Sequence, residues 1–113
     1  VSLDLGSSSS SPARVLQAQV VGPGSAQLRI AGGRASLVVH RLPSPPPGKI
    51  YELWLQHGNR APSPAGLFSV TAGSADVGVP GSLHGVTHVM VTPEPSGGSQ
   101  VPTHAPVITV TLA

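Results

Sequence analysis

Short runs of aliphatic and β-branched residues, each cut off by glycine or proline, set the limits on what this chain can fold into. Such runs occupy residues 15–21, 35–41, 50–56, 66–70, 75–79, 86–92 and 107–112. Between the first two, Ala26, Leu28 and Ile30 alternate with Gln27 and Arg29, the period-two pattern of a strand with one buried face. The breakers between the runs are Gly22-Pro23-Gly24-Ser25, Gly32-Gly33, the stiff Pro43-Ser44-Pro45-Pro46-Pro47-Gly48, and residues 80–85. Proline fixes φ and removes a ladder donor, and Gly32-Gly33 supplies a tight turn, so each of these segments interrupts a strand. No apolar periodicity of 3.6 extends beyond a turn. The pattern predicts an all-β fold, an immunoglobulin-like antiparallel β-sandwich of about eight short strands with turns about every eight to twelve residues.

At 113 residues the chain supports one domain with a single modest core. Its 14 glycines and 13 prolines bring it near the composition of disordered segments, but the recurrent β-branched runs each offer a face to bury. Residues 1–12, with Gly6 and five consecutive serines from Ser7 to Ser11, read as a flexible tether, leaving residues 13–113 as the folded domain.

Several function classes are excluded by what the residues cannot do. The formal charge is only +2, and the cations at 14, 29, 34, 41, 49 and 60 are scattered without interleaved aromatics. Nucleic-acid binding needs several cations on one face to neutralise phosphates, so no nucleic-acid partner is expected. Cysteine is absent, which removes disulfides and thiolate metal centres. No apolar run reaches the roughly twenty residues that span a bilayer. The missing initiating Met points to a processed or excised chain. The four acids Asp4, Glu52, Asp76 and Glu94 do not suggest a paired-carboxylate site. No nucleophile elbow, dinucleotide fingerprint or phosphate loop is present. An enzyme is not expected, nor a cofactor. His40, His57, His84, His88 and His104 fall in separate segments without ligand spacing, so they read as incidental surface residues.

Five residues stand out as candidates for contacting a partner or organising a loop: Tyr51, Trp54, Glu94, Gly97 and Gly98. On a period-two strand Tyr51, Leu53 and Leu55 share one face, the natural core face, while Ile50, Glu52, Trp54 and Gln56 share the other. Trp54 then either covers the far side of its sheet, reaches inward through a bulge, or meets a partner. Glu94 sits between Pro93 and Pro95 and precedes Ser96-Gly97-Gly98-Ser99. A carboxylate in such a frame can accept hydrogen bonds from the loop and fix its shape, or recognise a cationic group.

Three segments together resemble a known family. Leu42-Pro43, the Pro-rich turn and Gly48-Lys49-Ile50-Tyr51-Glu52-Leu53-Trp54-Leu55 form the first, Ala65-Gly66-Leu67-Phe68 the second, and Val89 through Thr103 the third. Their order and spacing resemble the C-terminal extracytoplasmic domain of anti-sigma-K factors of the RskA type, over roughly residues 13 to 113. Pro93, where a β-branched residue is more usual, and His104-Ala105 after Pro102-Thr103 depart from the pattern without disturbing its frame. The resemblance implies the outer-side sensory domain of a larger single-pass membrane protein. A membrane segment would lie upstream, and a cytoplasmic domain would hold an extracytoplasmic-function sigma factor until regulated proteolysis. A site-1-type protease would then be a partner, with the tether as its cleavage place. The alternative reading is a stand-alone secreted β-sandwich that binds a ligand, such as copper or zinc through histidines.

Overall fold

The computed structural model describes residues 14–112. The expected tether, residues 1–12, lies outside the described residues. Among the described residues nine strands follow in order: β1 Arg14–Gln17, β2 Gln19–Val20, β3 Ser25–Ala31, β4 Arg34–His40, β5 Lys49–Gln56, β6 Ser63–Phe68, β7 Ala75–Val79, β8 His88–Pro95 and β9 Ile108–Thr111. No helix occurs among the described residues, and none long and apolar enough to cross a membrane. Two sheets form, one in the order β1-β3-β4-β7 and the other β2-β9-β8-β5-β6. Every pairing is antiparallel. The all-β sandwich expected from the turn spacing is the fold observed.

The two sheets enclose one apolar layer. Ala26, Leu28, Ala35, Leu37 and Val39 from the four-stranded sheet meet Tyr51, Leu53, Val89, Val91, Ile108 and Val110 from the five-stranded sheet. These are the alternate positions of their strands, because successive side chains point to opposite faces. Leu55 joins the same layer partly buried. The face assignment for β5 therefore holds on its core side.

The first run behaves differently from its sequence. Residues 15–21 read as one strand, but Ala18 interrupts it. Before the break, β1 pairs with β3 in one sheet, and after it β2 pairs with β9 in the other. The Ala18 N–H still reaches Ala26 O at 3.0 Å, whereas the Val21 N–H bonds Val107 O at 2.9 Å. One segment thus closes the sandwich along one side, an arrangement invisible to local propensity.

Strand β8 also exceeds its expected end. The run expected at residues 86–92 stops before Pro93, yet the strand runs to Pro95. The Val91 carbonyl accepts the Val107 N–H at 2.8 Å, so odd positions of β8 direct their backbone groups toward β9. Strand β9 covers β8 only from His88 to Val91. The donors that Pro93 and Pro95 lack would point past the end of β9, while Thr92 and Glu94 pair with β5 unhindered.

Candidate functional site

The far face of the five-stranded sheet carries a second buried layer. Pairing Glu52 with Thr92 and Trp54 with Met90 puts their side chains on one surface, opposite the core. Trp54 and Glu94 are both 0% exposed, and Glu52 is 3% exposed. Trp54 is not part of the inter-sheet core. It covers the other side of the sheet, and no ring surface is open to a partner in this conformation. The register slip beside it lies in β6, where Leu53 pairs with Gly66 and Trp54 with Pro64, leaving Ala65 unopposed.

Across this face runs the segment from 96 to 106. Its entry is a tight turn in which the Gly98 N–H reaches Pro95 O at 2.8 Å, with φ of 95° at Gly97 and 85° at Gly98. Positive φ at the third turn position is the signature of a type II turn, and glycine takes it without strain. Gly98 has a further reason. A Cβ there would lie 2.9 Å from Leu67 Cδ2 and 3.3 Å from both Glu52 carboxylate oxygens. The Ser99 N–H then donates to Glu52 Oε1 at 2.8 Å.

Glu94 is the centre of the network. Oε2 accepts the Thr92 hydroxyl at 2.6 Å and the Thr103 N–H at 3.0 Å. Oε1 accepts the hydroxyls of Ser99 at 2.8 Å and Thr103 at 2.6 Å. Four donors match the roughly four lone-pair sites of an ionised carboxylate, and all four are uncharged. Burial pushes the carboxyl pKa up, but the hydrogen bonds of Thr103, Thr92 and Ser99 outweigh it and hold the value at about 2. The Trp54 indole N–H extends the chain by donating to Thr92 Oγ1 at 2.8 Å. Because the Thr103 hydroxyl proton goes to Glu94, the His104 Nδ1 lying 2.8 Å from Thr103 Oγ1 has to be the donor of that contact.

Of the five sequence candidates, four thus meet on this face: Trp54, Glu94, Gly97 and Gly98. Tyr51 does not. It points into the core, 5% exposed, stacked on Phe68 with ring centroids 5.7 Å apart. Its hydroxyl donates to Pro43 O at 2.6 Å and so ties the Pro-rich connection to β5. Burial raises the Tyr51 pKa. Sequence reasoning did not single out Glu52, Thr92, Ser99 and Thr103. Glu52 shares a strand face with Trp54, which was the available signal; the other three are common residue types whose role appears only when the segment folds back.

Elsewhere the surface offers little convergence. A shallow concavity on the outer side of the four-stranded sheet is lined by Arg29, Arg34, Ser36, Val38 and Asp76. It opens to solvent and carries two guanidinium groups and one carboxylate. Among the described residues no three of the histidines and acids gather closely enough to hold a metal ion.

Residues 7–107 match the family described as anti-sigma-K factor RskA, C-terminal. The chain belongs to that family. The match spans both sheets and the buried carboxylate network, ending as β9 begins. No curated protein and no solved structure gives a significant match. The family is regulatory, and its name makes a sigma factor the expected partner.

Proposed function

We propose that this domain is the extracytoplasmic regulatory half of a membrane-anchored anti-sigma factor. The observation that carries the reading is the family match over residues 7–107. Supporting it, the described residues form two antiparallel sheets around one apolar layer. In this reading an upstream membrane segment links the domain to a cytoplasmic part that holds an extracytoplasmic-function sigma factor. Proteolysis at the Ser-rich residues 1–12, by a protease of the site-1 kind, releases that hold. The domain acts by changing access to the cleavage site, a population shift driven by whatever ligand or stress distinguishes its states.

Within the domain, Glu94, Gly97, Gly98 and Trp54 organise the segment that crosses the outer face, and Tyr51 anchors the Pro-rich connection. Catalysis has no part in this account.

The test is the topology of the native protein. Intact mass of the membrane fraction and the sequence upstream of Val1 should reveal an apolar stretch of about twenty residues preceded by a cytoplasmic domain. A cleavable signal peptide directly before Val1 would sink the proposal and leave a secreted module.

A further inference from the structure

We propose that residues 96–106 form a strap that opens as a unit while the sandwich stays folded, with the Glu94 carboxylate as its latch. The inference rests on bonding and packing within the described residues and stands whether or not the domain guards a cleavage site.

From Ser99 to Pro106 no backbone-to-backbone hydrogen bond joins the strap to the sheet among the described residues. Its attachments end instead on two side chains. The Ser99 N–H goes to Glu52, while the Ser99 hydroxyl and both the N–H and hydroxyl of Thr103 go to Glu94. The ends are held separately. The Ser96 N–H bonds Gly48 O at 3.0 Å, and the Val107 N–H bonds Val91 O at 2.8 Å. Gly97 and Gly98 lie just inside the first anchor and supply the torsional freedom of a hinge.

The apolar share of the strap is small. Val101 is its one large aliphatic side chain and is 60% exposed. Opening therefore gives up little burial of the strap itself. The core between the sheets lies on the opposite face of β5 and β8 and is untouched. Segments with few buried apolar contacts and few main-chain bonds form the low-stability end of a domain's opening events. On opening, the Glu94 charge meets water instead of a dry interior, so the open state holds no stranded ion. What opens is a polar roof over Glu52 and Glu94, to which Trp54 is joined through the Thr92 hydroxyl.

Native-state hydrogen exchange on the wild-type chain tests this directly. The Ser99 and Thr103 amides should exchange through an opening nearly independent of denaturant, and faster than the Leu37 and Val91 amides of the two sheets. Thr103→Val removes one hydroxyl donor to the carboxylate. It should speed Ser99 exchange roughly 10- to 100-fold, the factor for one lost charge-assisted hydrogen bond, and leave Leu37 unchanged. Acrylamide quenching of Trp54 fluorescence should rise in the same variant. If the wild-type Ser99 and Thr103 amides open with the same denaturant slope and protection as Leu37, the strap is part of the global unit and the proposal fails. Equal acceleration of Ser99 and Leu37 by Thr103→Val would overturn it as well.

Discussion

Glu94 shows how a single residue can set the pH range of a domain. Its folded pKa of about 2 lies below the ordinary value of 4.5, so the native state binds its proton less readily than the unfolded chain. The stabilisation is fully present above about pH 4.5 and is lost as pH falls through that value toward about 2. At about 1.4 kcal/mol for each unit of pKa, the contribution is of the order of 3 kcal/mol. Glu94→Gln should remove a similar amount at pH 7 and flatten the acid limb of a thermal-midpoint profile taken from pH 7 to 2. An unchanged profile would remove Glu94 from that limb. A second residue acts through backbone strain. Thr71 and Ser74 bond each other at both ends of a two-residue turn, with φ of 52° at Ala72 and 81° at Gly73. Positive φ at both central positions defines a type I′ turn, where Asn-Gly is the favoured pair. Ala72→Asn should stabilise the domain by about 1 kcal/mol, measured by urea unfolding with unchanged slope.

At the scale of elements, the strap and its hinge differ from the strands they rest on. Gly98→Ala would force a Cβ into the left-handed region and within 2.9 Å of Leu67 Cδ2. Leu67 is partly exposed and can move, so the strain of positive φ dominates, at about 1 to 2 kcal/mol. The loss should appear first as faster exchange of the Ser99 amide, with β4 amides following only near global unfolding. Strand β8 owes its length to the same neighbourhood. Its two prolines lie where β9 has already ended, so the pairing with β5 persists to the turn that launches the strap.

For the whole molecule, the inter-sheet layer is the contiguous apolar core on which cooperative unfolding depends. Leu53 and Trp54 are adjacent and both fully buried, yet they belong to opposite sides of one sheet. Leu53→Ala leaves a cavity between the sheets and should lower global stability by about 3 kcal/mol. Circular dichroism and Trp54 fluorescence should then report coincident transitions, as a single cooperative core requires. Divergent transitions would mean that the two faces unfold separately under global stress.

The sequence by itself determined the all-β class, most strand positions and the core face of β5, because alternation and glycine or proline punctuation act over a few residues. It also marked Glu94, Gly97 and Gly98, since a Pro-Glu-Pro frame before two glycines restricts the backbone locally. Only the tertiary structure decided that residues 15–21 divide between two sheets at Ala18, because that break follows from what each half pairs with. It alone brought Ser99 and Thr103 to a carboxylate five and nine positions earlier, and joined Trp54 to the same network through Thr92. Local chemistry can state that a buried carboxylate needs donors; which donors reach it depends on the path of the chain across the sheet.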